Sequence, residues 1–360
     1  MKTVFFNHLS PQYMLFASPE SWISELLIDI QQAKKYIYIE TFRLNEDAVG
    51  KLLYHALLDR IKDGIDIKII VDSWGTRKTA MFDNMRNAGI KIRFFKKIVL
   101  TLALFKNNHE RNHRKIIAID DQISYIGSAN FTEHSLKWRE SILRIEGKIT
   151  PIFKRIFLDN FQSYKKRFIT RKYYKTIHYN EFDIIREKPS IGYQQTRKYF
   201  IHLINRAKKT LTIVTPYFLP GKSIRNQLAK AVKRGVTVTI IIPKNSDVKT
   251  ADSLRNLYLG NLYMQGVNIQ YFKNENIHAK VIMADDDLFS IGSSNFDYRS
   301  FRYMYEINLS GKNVSIASLI KEYIEDTLKN CEPFNYTKWS LRSPLQKLYG
   351  IILIPFRKLL

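Results

Sequence analysis

Two histidines, His113 and His278, each stand two residues ahead of a lysine and seven ahead of an aspartate. His113 is followed by Lys115 and Asp120, and His278 by Lys280 and Asp285. After six more residues each copy reads Gly-Ser-x-Asn, giving Ser128 and Asn130 in the first and Ser293 and Asn295 in the second. On a strand, positions i and i+2 face one side, so each histidine points with its lysine. A neutral imidazole can attack phosphorus, and a nearby ammonium neutralises phosphoryl oxygens. The Gly-Ser-x-Asn turn offers backbone N–H groups and an amide to the same oxygens. A single His-x-Lys is ordinarily a solvated strand end. Two complete copies, 165 residues apart with identical internal spacing, point instead to displacement at a phosphodiester. One histidine would serve as nucleophile and the other as general acid. Histidine and aspartate also ligate metals. The lysine beside each histidine would repel a cation, so neither a metal centre nor another cofactor is expected.

The elements that position these residues repeat as well. AKKYIYIETF from Ala33 matches AKKTLTIVTP from Ala207. Gly64 leads into IDIKIIVDS and Gly235 into VTVTIIIPK; AGIKIRFF then ends at Phe95 and QGVNIQYF at Phe272. Strand, helix, strand, helix and strand recur in this order, followed by further strands. The pattern predicts an α/β fold with two pseudo-two-fold-related halves, each a mostly parallel mixed sheet flanked by helices. The first half is expected over 1–150, a basic helix and linker over 151–190, the second half over 191–330, and a basic-apolar tail over 331–360. His113 lies 18 residues after Phe95, whereas His278 lies 6 after Phe272. The extra segment carries apolar residues from Ile98 to Phe105 between Lys96, Lys97 and Lys106. It and the apolar stretch Tyr349–Phe356 each read either as core or as an interfacial membrane anchor.

The chain has 360 residues, 58 Lys+Arg against 33 Asp+Glu, and a net charge of +25. With 45% hydrophobic residues it is not disordered. Such an excess of positive charge demands a polyanion: an anionic phospholipid surface or nucleic acid. The apolar insert and tail favour lipid, since a nucleic-acid groove needs neither. Cys331 stands alone, which excludes an internal disulfide framework. No run reaches the roughly 18 apolar residues of a spanning helix, and no signal-peptide core is evident. The expectation is a peripheral protein on the cytoplasmic face of the cell membrane.

The doubled H-x-K-x4-D-x6-G-S-x-N pattern resembles the phospholipase D superfamily. YIETF at Tyr38–Phe42, TPYFLPG at Thr215–Gly221 and GSSNFDYRSFRYMYEINL from Gly292 are similar to bacterial cardiolipin synthases, of the short class without N-terminal transmembrane helices. The resemblance implies a ping-pong phosphatidyl transfer, from phosphatidylglycerol to a second alcohol or phospholipid, through a phosphohistidine. It makes His113 the nucleophile and His278 the acid/base. It puts Lys115, Lys280, Asn130 and Asn295 on the phosphoryl oxygens, with Ser128 and Ser293 in the same turns. Asp120 and Asp285 would serve mostly the architecture of the site. Glu140 and Glu306, 27 and 28 residues past their histidines, match the acids that orient the histidine of the opposite half. The alternative function is a hydrolase of phospholipid or nucleic acid with water as acceptor.

Overall fold

The computed structural model of the chain describes residues 12–95, 110–163, 175–190 and 192–355. The first half runs β1 (Gln12–Phe16), α1 (Pro19–Gln32), β2 (Tyr36–Thr41), α2 (Ala48–Lys62), β3 (Asp66–Asp72), α3 (Ala80–Asn87), β4 (Lys91–Phe95), β5 (Arg111–Asn112), β6 (Ile116–Ile119), β7 (Ile123–Gly127), β8 (Ile142–Glu146) and α4 (Thr150–Ser163). The second runs β9 (Ile177–Tyr179), β10 (Phe182–Glu187), α5 (Gln195–Arg206), β11 (Thr210–Val214), β12 (Phe218–Leu219), α6 (Lys222–Lys233), β13 (Thr237–Pro243), α7 (Lys249–Met264), β14 (Asn268–Phe272), β15 (Val281–Ala284), β16 (Leu288–Gly292), β17 (Phe296–Asp297), α8 (Tyr298–Arg302), β18 (Met304–Gly311) and α9 (Val314–Lys329). A tail follows with β19 (Cys331–Pro333), α10 (Tyr336–Ser340) and α11 (Pro344–Ile352).

The first sheet is ordered β1-β8-β7-β6-β2-β3-β4, and the same order recurs in the second as β10-β18-β16-β15-β11-β13-β14. The stretch 151–190, expected as a helix and linker, therefore holds most of α4 of the first half as well as β9 and β10, which edge the second sheet. Parallel pairing is narrower than the alternation of elements suggested. It joins β2-β3-β4 and β11-β13-β14, where helices make the crossovers. The other pairs along each of these two paths are antiparallel. The connection from β6 to β7 is three residues long, too short for the crossover that a parallel pair requires.

Alternate side chains of β2 serve different cores, as the period of a strand dictates. Ile37 and Ile39 pack with Leu26, Ile30, Leu53 and Phe82 from α1, α2 and α3. Tyr38 faces a central cluster with Phe153 and Phe157 of α4. That cluster also contains Val281, Ile307 and Leu309 of the second sheet and Ile320 of α9. The halves therefore share one core, and the His113 and His278 strands border it from both sides. The segment Lys96–Lys106 lies outside the described residues. In the stretch Tyr349–Phe356, Tyr349, Ile351 and Ile352 are exposed, while Leu353 and Ile354 pack partly against Ala251 and Leu254.

Candidate active site

The tripeptides His113–Lys115 and His278–Lys280 sit just ahead of β6 and β15 rather than within them. Each is held by the backbone of the opposite half. The His113 N–H donates to Tyr305 O (2.9 Å), and the His278 N–H donates to Arg139 O (2.8 Å). Asn112 pairs in parallel with Tyr305, and Ile277 with Arg139. Tyr305 and Arg139 directly precede Glu306 and Glu140. This register brings each glutamate to the other half's histidine. His113 Nδ1 lies 3.0 Å from Glu306 Oε1, and His278 Nδ1 lies 2.9 Å from Glu140 Oε1. Both glutamates are fully buried. Arg139 ion-pairs with Asp326 instead, leaving Glu140 to the histidine.

Because both Nδ1 atoms are occupied, Nε2 is the free nitrogen of each ring. A carboxylate accepting Nδ1–H fixes the tautomer that exposes the Nε2 lone pair. Burial pushes the His113 pKa well down, and Lys115, Lys280, His278 and Arg299 push the same way. Burial also lowers His278, but Glu140 opposes it. Burial raises Glu306 to about 7, whereas His278 and Lys280 hold Glu140 below its ordinary value against the same burial. Both imidazoles are therefore biased toward the neutral form, His113 the more strongly, and Glu140 gives His278 partial support for a proton.

Ser128 and Ser293 turn their hydroxyls toward the glutamates. Their hydroxyls donate to Glu140 and Glu306, and accept from the N–H groups of Ser141 (2.8 Å) and Ile307 (3.0 Å). The serine that follows Gly127 or Gly292 is turned inward onto the carboxylate. Asp120 and Asp285 lie away from the histidines, at the far ends of β6 and β15. Both have left-handed backbones, at φ 54° and 52°. Asp120 accepts from the N–H groups of Lys34, Lys35 and Tyr36; Asp285 accepts from those of Lys208, Lys209 and Thr210. Aspartate tolerates this conformation and satisfies chain ends whose N–H groups are otherwise unpaired.

Lys115 and Lys280 each donate to the carbonyl of the histidine two residues back. Burial lowers them to about 7 and about 8, with Glu306 and Glu140 opposing the shift. An arriving phosphodiester anion favours their charged forms. Asn130 and Asn295 line a cleft of about 210 Å³ together with both histidines. The amide oxygens of both asparagines are buried and unpartnered, so neither side chain is committed through that atom. The cleft also holds Phe42, Arg43, Trp74 and Trp138 from the first half, and Tyr217, Asp247, Asp297 and Arg299 from the second. The Phe42 ring lies 5.2 Å from that of His113, and the Trp138 ring 5.3 Å from that of His278. Sequence reasoning assigned none of these residues a role. Phe42 ends YIETF and Tyr217 sits in TPYFLPG, the sole signal for either.

Two α/β halves that clasp a pair of Glu-oriented histidines over one cleft define a two-histidine phosphodiester-displacing enzyme of the phospholipase D type. The chain belongs to the family described as cardiolipin synthase, PLD-like domain, whose model matches residues 26–165 and 200–328. A cardiolipin synthase of Listeria welshimeri is 31% identical over 364 residues, which cover 95% of this chain and 74% of that protein. Cardiolipin synthase 1 of Staphylococcus epidermidis is 31% identical over 330 residues, covering 88% and 67%. In fold, the chain is similar to the crystal structure of phosphatidylserine synthase of Haemophilus influenzae, with a TM-score of 0.76 at 16% identity over 97% of this chain and 94% of that one.

Proposed function

We propose that the chain is a phosphatidyltransferase of the cardiolipin synthase type. The observation that carries this reading is the cross-pairing: each histidine is oriented by a glutamate of the other half, and both rings line one cleft. In the first step, His113 Nε2 attacks the phosphorus of a phosphatidylglycerol. The P–O bond to the head-group glycerol breaks, and His278 gives its Nε2 proton to the departing oxygen. Glycerol leaves, and a phosphatidyl group remains on His113. In the second step, the hydroxyl of another phosphatidylglycerol attacks the same phosphorus. Its proton passes to the now neutral His278 and the P–N bond breaks. Cardiolipin forms and both histidines return to their starting states.

Lys115, Lys280, Asn130 and Asn295 are the proposed clamp for the phosphoryl oxygens. Tyr217 and Asp247 offer the acceptor's hydroxyls hydrogen-bonding partners on the second-half wall. Among the described residues no helix is long and apolar enough to cross a membrane. The reading carries with it peripheral attachment to an anionic cytoplasmic leaflet, for which the net charge of +25 is the support. The decisive experiment is mass spectrometry of phosphatidylglycerol vesicles after incubation, with His113→Ala as control. Cardiolipin plus glycerol supports the proposal. Phosphatidic acid would assign the chain to hydrolysis, and turnover of nucleic acid but not lipid would overturn it.

A further inference from the structure

We propose that α11 and the cleft beneath it form a docking surface for an anionic phospholipid bilayer, set at the rim of the catalytic cleft. The proposal rests on the peripheral attachment proposed above and deepens it by naming the docking element.

The sequence makes α11 a well-started helix. Ser343 and Gln346 form a capping box, and Pro344 occupies the first turn. Yet the helix is inside out for a globular protein. Its buried residue is Gly350, whose missing Cβ would lie 3.0 Å from Leu257 Cδ2 and 3.3 Å from Ser253 O. Its large apolar residues face outward: Leu345, Leu348, Tyr349, Ile351 and Ile352, with Leu341 just before, are 48% to 78% exposed. Positions 345, 348, 349 and 352 follow the spacing of a single helical stripe. A contiguous exposed stripe of this kind marks an interaction surface.

Charge selects the occupant. Lys338, Arg342 and Lys347 accompany the stripe, and among the described residues none of them pairs with a carboxylate. Arg342 Nε donates to Trp339 O (2.8 Å), and Lys347 Nζ donates to Ser340 O (3.0 Å). The nearby acids are already matched, Glu332 by Lys244 and Asp252 by Arg255. Lys338 and Arg342 also line a cleft of about 900 Å³ between α7 and the tail, together with Tyr271 and Trp339. Apolar side chains flanked by unneutralised cations suit acyl chains beneath anionic head groups. A water-soluble polyanion would leave the leucines and isoleucines without a partner.

Placement gives the surface its use. Helix α7 and the residue before it put Ala251 and Val248 on the catalytic cleft, and α7 puts Ser253 and Asn256 on the tail cleft. Leu353 and Ile354, just past α11, pack in the same small cluster as Tyr217, Val248 and Ala251, all three of which border the catalytic cleft. A bilayer seated on α11 therefore meets the mouth of the catalytic cleft.

The test is flotation of the full chain with vesicles of phosphatidylglycerol mixed with phosphatidylcholine, and of phosphatidylcholine alone. Melting temperature and light scattering are measured in parallel. The triple variant Leu345→Ser/Leu348→Ser/Ile352→Ser and the double variant Lys338→Glu/Arg342→Glu should each weaken binding to the anionic vesicles about tenfold or more. Melting should stay near wild type, and soluble glycerol phosphate should not compete. Val314→Ser, at another exposed apolar site, should leave binding unchanged. Where the serine variant melts early, the charge variant decides. Unchanged vesicle binding in both variants overturns the proposal. So does equal binding to phosphatidylcholine, or a wild-type dimer that the serine variant splits without loss of vesicle binding. His113→Ala should bind vesicles like wild type, so a failure here is distinguishable from a failure of the catalytic reading.

Discussion

The two halves of the cleft share a plan and differ in charge. Each contributes a histidine, a lysine, an asparagine and a glutamate, placed by matching strands. The first half adds Phe42, Arg43 and Trp74 to the walls, and the second adds Tyr217, Asp247, Asp297 and Arg299. Arg299 adds to the burial and the lysines that keep His113 neutral, while Glu140 supports a proton on His278. A symmetric scaffold thus provides two imidazoles with unequal proton affinity. Phosphoryl transfer by a nucleophile and a separate acid needs that inequality.

The strongest way to break the comparison is to remove the rings. His113→Ala and His278→Ala should each reduce turnover by about 10³-fold or more. With radiolabelled lipid, His278→Ala should still trap a phosphohistidine and His113→Ala should not. If the trapping pattern reverses, the roles reverse. Half activity in each variant would mean two independent sites.

Replacing the glutamates sharpens the comparison, and glutamine keeps the volume while avoiding an empty buried pocket. Turnover in the wild type should change through a pH of about 7, where the His113–Glu306 pair titrates. A second step should lie on its acid side, because burial holds His278 below its ordinary 6.5 with Glu140 opposing. Glu306→Gln should slow turnover by about a hundredfold and abolish the step near 7. Glu140→Gln removes the carboxylate that raises the His278 pKa, so the His278 step should move to still lower pH. A kcat–pH profile for both variants checks this. Identical profiles would show that the halves are electrostatically equivalent.

Asp120→Ala and Asp285→Ala should affect the halves alike, because each aspartate caps three backbone N–H groups away from the cleft. Each substitution should cost about 1–3 kcal/mol of stability in denaturant melts, with kcat per folded molecule nearly retained. The Asp285 carboxyl is held below its ordinary 3.8; burial would raise it, but the N–H groups of Lys209, Thr210 and Lys208 outweigh burial. Its contribution is therefore full above about pH 4 and is lost on acidification through the folded value. Asp285→Asn should flatten the acid side of the stability profile. The smallest effect is expected from EDTA. Lysines and amides supply the phosphate clamp, so turnover should be unchanged; loss in EDTA and recovery with Mg²⁺ would overturn that clamp.

The repeat itself carried much of the architecture. Strand and helix order, the matching halves and the positions of His113, Lys115, His278 and Lys280 follow from spacing that local periodicity preserves. The sheet's pairing was harder to read, because β6, β7 and β8 are short apolar runs that do not announce direction. The walls of the cleft were harder still. Arg43, Trp74 and Asp247 lie on different loops and Arg299 on α8, and no shared pattern in the chain joins them.

What the linear chain fixed, then, was the inventory: a duplicated α/β unit, two histidine–lysine sets and two downstream acids, all at spacings readable within about thirty residues. What only the folded molecule decided was partnership. Glu306 and His113 are 193 residues apart and meet through a backbone register between the halves. The inward turn of Ser128 and Ser293, the capping by Asp120 and Asp285, and the unequal proton affinities of the two histidines depend on the same kind of long-range contact. So does the outward apolar face of α11: helical periodicity marks a stripe, but only the packing of Gly350 against α7 decides that the stripe faces solvent.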